Sequence, residues 1–231
     1  MKDEITIGLP SKGRLKDKAI SFFEGNGLKI LQSDKERNYF ATIENKPNLK
    51  IIYLHAKEII QRLGDGTLDL GISGLDLLNE SEKNLRDKIF IKDKLNFGKA
   101  NLVVAVPDDW IDVQTIADLE EVSFDIKLKR NTRLRVATKY PNLTNDFLFS
   151  KGVTQYKLIP SLGATETYPF IGSSEIISDI TSTGKTLVDN NLRALKDGQI
   201  LNSTACLFIA KKKLVKIDKF LKELYDNKKF D

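Results

Sequence analysis

Short apolar runs alternate with helical patterns along almost the whole chain, and this alternation limits the fold more than any other feature. A strand is predicted over residues 5–9. Ser11-Lys12-Gly13 follows, then a helix with Leu15, Ala19, Phe22 and Phe23 on one face, stopped by Gly25 and Gly27. A second strand over 50–54 leads into a helix carrying Ala56, Ile59, Ile60 and Leu63, closed by Gly64 and Gly66. Further strands are predicted over 68–72, 101–106, 134–137, 156–159, 176–180 and 204–209, with a short helix after Pro141 that contains Phe147 and Leu148. Strands separated by helices need crossover connections, and crossovers build parallel sheets. The expected class is α/β.

At 231 residues the chain has room for one or two domains. No Pro/Gly/Ser-rich linker interrupts it, so two lobes would have to be joined by tight crossings. One crossing fits residues 93–99 and a return fits near Ser203. The expected division is 1–95 plus 206–231 for one lobe and 96–205 for the other, with a central cleft, a common place for a small-molecule site. A 41% hydrophobic content excludes intrinsic disorder. A single cysteine, Cys206, excludes a disulfide scaffold. It lies in an apolar run, reads as a small buried hydrophobe, and suits the cytosol. No signal peptide and no membrane span are expected, because no apolar run approaches the roughly 18 residues a span needs. The net charge of +5 is concentrated in residues 211–231, which hold eight lysines and four acids. The other 210 residues carry 29 basic and 28 acidic groups, so the body is no polyanion-binding surface. Leu214, Ile217, Phe220, Leu221 and Leu224 recur at helical spacing, predicting a terminal helix docked on the core with solvated lysines outside.

Four strand-to-loop junctions carry candidate chemistry. Ser11, Lys12, Gly13 and Arg14 lie between a strand and a helix start, where free N–H groups and two cations suit a phosphate. The plainer reading is a helix capped by Ser11. Asp69, Gly71, Ser73 and Gly74 frame a strand and its turn, where glycines admit a ligand close to the backbone or serve a tight turn. Thr138, Lys139 and Tyr140 stand at the carboxyl end of a strand, the edge that ligands favour in open α/β sheets. The sharpest is Glu175 through Asp179 into Thr181-Ser182-Thr183-Gly184-Lys185-Thr186. Small residues around a glycine turn several N–H groups and hydroxyls toward one anion, and an upstream carboxylate accepts bonds from sugar hydroxyls. That combination suits a ribose 5-phosphate. A Walker A loop needs glycine where Asp179 stands, which disfavours a nucleoside triphosphatase of that kind.

Taken together and in order, these four segments and the run from Gly163 through Glu166 resemble the ATP phosphoribosyltransferase family of histidine biosynthesis. The resemblance covers essentially the whole chain. It implies two lobes of the type II periplasmic-binding-protein kind with the active site in the cleft. It implies attack of N1 of the ATP adenine on C1 of 5-phosphoribosyl 1-pyrophosphate (PRPP). Positioning and electrostatics would carry catalysis, with no side-chain nucleophile. Mg²⁺ would ride on substrate phosphates, with no metal site on the protein.

The resemblance also implies roles. Thr181, Ser182, Thr183, Gly184, Lys185 and Thr186 cradle the 5-phosphate of PRPP, with Asp179 and Glu175 on the ribose hydroxyls and Glu166 beside them. Lys12 and Arg14 face the pyrophosphate or the ATP phosphates and, with Asp179, form the catalytic set. Ser11, Gly13, Arg37, Asp69, Gly71, Ser73, Gly74 and Lys139 serve ATP. His55 stands where the family has arginine and reads as a helix-start residue. The length implies the short form of the enzyme, a cytoplasmic homodimer within a hetero-octamer that includes a histidyl-tRNA-synthetase-like regulatory subunit, with no nucleic acid and no membrane as partner. The rival reading is a small-solute-binding protein of the same two-lobed fold.

Overall fold

The alternation resolves into two α/β units in the computed structural model, which describes residues 4–32 and 39–226. The first unit holds the chain up to Gly98 and again from Thr204, and the second holds Lys99–Ser203. The first opens with β1 (Ile5–Pro10), α1 (Arg14–Glu24), β2 (Ile30–Gln32), β3 (Phe40–Ile43), β4 (Lys46–Leu54) and α2 (Ala56–Asp65). It continues through β5 (Leu70–Gly74), the short helices α3 (Leu75–Glu80) and α4 (Lys83–Arg86), and β6 (Ile89–Lys94). The second unit comprises β7 (Ala100–Pro107), α5 (Ile116–Arg130), β8 (Leu134–Thr138), α6 (Pro141–Ser150), β9 (Tyr156–Pro160), β10 (Ile176–Thr181), α7 (Lys185–Asp189) and β11 (Leu192–Ser203). The chain then rejoins the first unit as β12 (Ala205–Ala210) and α8 (Leu214–Asp226).

In the first unit seven strands run in the order β2-β3-β4-β1-β5-β12-β6, with β4, β1 and β5 parallel. Strand alternation divides the apolar side chains between two faces. Ile7, Leu9, Ile51, Leu207 and Ile209 meet Ala19 and Phe23 of α1 and Ile217, Phe220 and Leu224 of α8. Cys206 and Phe208 point the other way, onto Ile59, Ile60 and Leu63 of α2. Phe23 and Phe208 are fully buried, each contributing about 1.5–3 kcal/mol of apolar burial. Helix α2 begins at His55, whose Nδ1 accepts the Lys57 N–H at 3.3 Å. It ends at Gly66, in the left-handed region at φ 78°, where the Gly66 N–H bonds Arg62 O.

Two facts decide how tightly α2 sits. Gly8 of β1 and Gly71 of β5 are register partners. A Cβ on Gly71 would lie 2.7 Å from Ile59 Cγ2 and 2.8 Å from Gly8 O, and one on Gly8 would lie 2.5 Å from Leu68 Cδ1. The paired glycines form the slot that Ile59 fills.

In the second unit five strands run in the order β11-β7-β10-β8-β9, with β10, β8 and β9 parallel and β7 antiparallel to its neighbours. One face packs Val104, Val136 and Ile176 against Leu119 of α5 and Leu148 of α6. The other buries Val103, Ala105, Ala137 and Ile177 with Leu187 of α7. Helix α5 starts with a capping box between Thr115 and Asp118.

The terminal helix docks as the sequence predicts, but not all of its lysines are simply solvated. Lys216 Nζ binds both carboxylate oxygens of buried Asp69, at 2.8 and 2.9 Å, and Lys213 stands 3.6 Å away.

Candidate active site

Ligand-binding loops of open α/β sheets gather beyond the carboxyl ends of the parallel strands. In the second unit that edge is formed by the ends of β8, β9 and β10. Thr138 and Ser178 are the last register pair between β8 and β10, so the next residues, Lys139 and Asp179, emerge side by side. Lys139 Nζ stands 3.5 Å from Asp179 Oδ2, and Asp179 Oδ1 accepts the Ile180 N–H at 2.8 Å. The Asp179 side chain is only 12% exposed, so the carboxylate is held rather than waving in water.

The loop after β10 turns through Gly184 into the short helix α7. Gly184 adopts φ 75°, a left-handed conformation that glycine enters without strain. Its N–H is turned back onto Thr181 Oγ1 at 2.9 Å, and the Lys185 N–H onto Thr183 Oγ1 at 3.4 Å. Ser182, Thr183, Lys185 and Thr186 stay exposed. On the same edge, the Ser161 N–H binds Thr138 O, and the Ser161 and Thr165 hydroxyls bond at 2.9 Å. This anchored loop carries Glu166 in the short turn Thr165–Thr167.

In the first unit the carboxyl edge presents Ser11, Lys12 and Gly13 after β1, His55 after β4, and Gly74 at the end of β5. Ser11 does not cap α1. Gly13 does, at φ 74° and ψ 179°, with no side-chain bond to the first turn. Those conformational angles suit glycine almost alone. Lys12 is exposed, while the Arg14 side chain lies outside the described structure. A cavity of about 470 Å³ opens beside Ser11 and His55, with Tyr39, Phe40 and Leu54 in its walls. Ser73 is fully buried and donates to Ala56 O at 2.8 Å, tying the end of β5 to α2. His55 is the helix-start residue the sequence suggests.

Three expected site residues are not brought to these edges, and the structure corrects their roles. Asp69 precedes β5, at the opposite edge from Gly74, roughly 17 Å away along the strand. Its carboxylate is taken by the Thr6 N–H at 2.8 Å and by Lys216. Gly71 lies inside β5 beneath Ile59, so its missing side chain serves packing rather than a ligand. Glu175 precedes β10, at the far end from the Thr181–Thr186 loop. It is clasped by Arg135, through Nη2 at 2.7 Å, Nε at 3.1 Å and the Arg135 backbone N–H at 2.7 Å. Burial pushes the Glu175 carboxyl up, but these bonds outweigh it and hold the group below its ordinary range. Arg37 lies outside the described residues. Sequence reasoning also leaves Thr144 and Ser178 out of the site. Polar residues within apolar patterns are the signal that points to them.

Two α/β units, each with polar loops at the carboxyl edge of its parallel strands, define a class: two-lobed α/β proteins of the type II periplasmic-binding kind. The fold is shared with holo ArgBP from T. maritima, at a TM-score of 0.55 and 13% identity, covering 98% of this chain and 91% of that one. It is also shared, at a TM-score of 0.73 and 24% identity, with the ATP phosphoribosyl transferase (HisG:HisZ) complex from Thermotoga maritima, covering 98% of this chain and 100% of that one. The family model for ATP phosphoribosyltransferase matches residues 55–227. An ATP phosphoribosyltransferase of Brucella melitensis biotype 2 (strain ATCC 23457) is 46% identical over 209 residues, 90% of each chain. The chain belongs to the ATP phosphoribosyltransferase family, the pentosyl-transferring enzymes of histidine biosynthesis.

Proposed function

We propose that this chain joins N1 of the ATP adenine to C1 of PRPP. The C1–N1 bond forms as the bond from C1 to pyrophosphate breaks, giving N1-(5-phosphoribosyl)-ATP and free pyrophosphate. The observation that carries the reading is the Thr181–Thr186 loop, opened by Gly184 at φ 75° next to the Lys139–Asp179 pair, in a chain of this family. The exposed loop residues hold the donor's 5-phosphate, and Asp179 accepts bonds from the ribose hydroxyls, with Glu166 beside it. Lys139, expected on the ATP side, is assigned to this end by its 3.5 Å contact with Asp179. Lys12, Arg14 and the open start of α1 meet substrate phosphates, where positive charge stabilises the departing pyrophosphate. Ser11 and Gly74 mark the ATP side, and Tyr39, Phe40 and Leu54 offer a purine an apolar wall. Adenine N1 carries no proton to be removed, so no general base is required. Among the described residues no three His, Cys, Asp or Glu side chains cluster to hold a metal ion. Mg²⁺ keeps several waters and needs few protein ligands, so it would be held chiefly by substrate oxygens.

The T. maritima structure is of a HisG:HisZ complex. That complex supports a HisZ-like partner for this chain. The family resemblance extends the proposal to a cytoplasmic homodimer within a hetero-octamer containing a histidyl-tRNA-synthetase-like regulatory subunit. No described helix is long and apolar enough to cross a membrane. The deciding experiment mixes the chain with ATP, PRPP and Mg²⁺ and follows the near-UV absorbance of N1-substituted adenine, first alone and then with the partner subunit and histidine. Product formation supports the reading. Tight binding of a small solute without turnover would favour a solute-binding protein instead.

A further inference from the structure

Three hydroxyl side chains lie buried where β8 and β10 end. Thr138 is 2% exposed, and Thr144 and Ser178 are not exposed at all. Thr138 and Ser178 are partners on the last rung of the β8–β10 ladder, and Thr144 stands in the first part of α6. The Tyr140 N–H donates to Thr138 Oγ1 at 2.9 Å. The Thr138 and Thr144 oxygens are 3.3 Å apart, and the Thr144 hydroxyl donates to Ser178 Oγ at 2.9 Å. A hydroxyl has one proton to give. With the Thr144 proton on Ser178, the Thr138 proton must point to Thr144. The chain of bonds therefore runs one way, from the Tyr140 amide through Thr138 and Thr144 to Ser178.

The surroundings make this expensive to build for packing alone. The same face of the sheet carries the fully buried Val104, Val136 and Ile176, packed against the fully buried Leu148 of α6. A valine at position 144 would fill the same volume without a polar group to satisfy. What the hydroxyls add is direction, since a satisfied buried network specifies one geometry. The residues that follow the linked rung are Lys139 and Asp179, 3.5 Å apart. Successive strand residues point to opposite faces, so the hydroxyls reach this pair through the backbone and not by contact.

We infer that Thr144 is a positioning residue for the phosphoribosyl donor: by tying Thr138 to Ser178 it holds the ends of β8 and β10 at the spacing that sets Lys139 beside Asp179. This rests on the reading in which Asp179 meets the donor's ribose. Thr144→Val keeps the shape and removes the bonds, whereas Thr144→Ser keeps the hydroxyl. The Val variant should raise KM for PRPP about tenfold, with KM for ATP unmoved, because two buried hydroxyls lose their partner beside that substrate only. The Ser variant should return KM toward wild type. Asp179→Asn should raise KM for PRPP, and adding Thr144→Val to it should change that KM no further, since both act on one group. If the Val variant does not fold, Ser178→Ala breaks the same relay from its other end. Wild-type KM in a folded Thr144→Val protein, or additive effects in the double variant, would overturn the inference. A KM for PRPP unmoved by Asp179→Asn alone would overturn the donor-site reading and the inference with it.

Discussion

Glu175→Gln should cost the protein stability and leave its affinity for PRPP unchanged. The substitution keeps the shape of the side chain but puts an amide where Arg135 needs an acceptor, so part of the fork formed with Nε and Nη2 is lost. A hydrogen bond to a charged group is worth about 1.5–3 kcal/mol when shielded. Here the Glu175 side chain is 16% exposed but the Arg135 side chain is 39% exposed, so water screens the pair and about 1–2 kcal/mol is the reasonable loss. For a chain of this size that corresponds to a fall of roughly 3–6 °C in Tm. The single tryptophan, Trp110, belongs to the same unit, so its fluorescence reports the unfolding that matters even if the two units melt separately. The pH dependence has a definite sign. The folded-state carboxyl is held below its ordinary range, so its stabilisation is present above the unfolded value of about 4.3 and is lost as pH falls through the lower folded value. The gap between wild type and variant should therefore be constant near neutrality and close in acid. An unchanged melting curve together with a raised KM for PRPP would refute the reasoning and restore Glu175 to the donor site.

Gly184→Val should fold, because the space around the residue is open, but melt several degrees lower, because φ 75° is strained for a β-branched residue by about 1–3 kcal/mol, and it should abolish donor binding. PRPP binding at wild-type strength by the folded variant would remove the loop from the site. Gly71→Ala should lower stability by about 1–3 kcal/mol, because the added methyl meets Gly8 O, which is backbone and cannot swing aside. Chemical denaturation measures the loss. A stable variant with a raised KM for ATP would contradict the packing role.

The elements most legible in the sequence are those with one apolar face. α1, α2 and α8 each bury a single stripe, and Gly25 and Gly66 end α1 and α2 where the pattern places them, whereas Gly64, also expected as a stop, stays inside α2. Helix α5 escapes the pattern because it is apolar on two sides. Ile116 and Leu119 are buried, yet Phe124 is 42% and Leu128 80% exposed, which erases the helical period. Strand β6 escapes it for the opposite reason: at the sheet edge only Ile89 is buried, so Lys92, Asp93 and Lys94 conceal the strand. Strand β11 is broken by register shifts between Ala194, Gln199 and Leu201, so no period of two survives through Lys196, Asp197 and Gly198.

The candidate site is legible where strand direction is respected. Lys139 follows β8, and Asp179 and the Thr181–Thr186 loop close β10, so all fall at the carboxyl edge where α/β ligands gather. Asp69 and Glu175 precede their strands, and the same rule places them at the wrong edge. Chemistry alone makes them attractive, since an acid beside a phosphate loop in sequence suggests a ribose contact. Their actual partners are out of reach of local reasoning, because Arg135 is 40 positions from Glu175 and Lys216 is 147 from Asp69. The buried hydroxyls divide the same way. A threonine at position 144 and a serine inside the apolar run 176–180 announce a polar core, but only the register of Thr138 with Ser178 turns them into one relay. An acid's place along its strand, which the amino-acid order alone supplies, separates binding from buttressing, whereas the cation it is bonded to follows only from how distant segments of the chain meet.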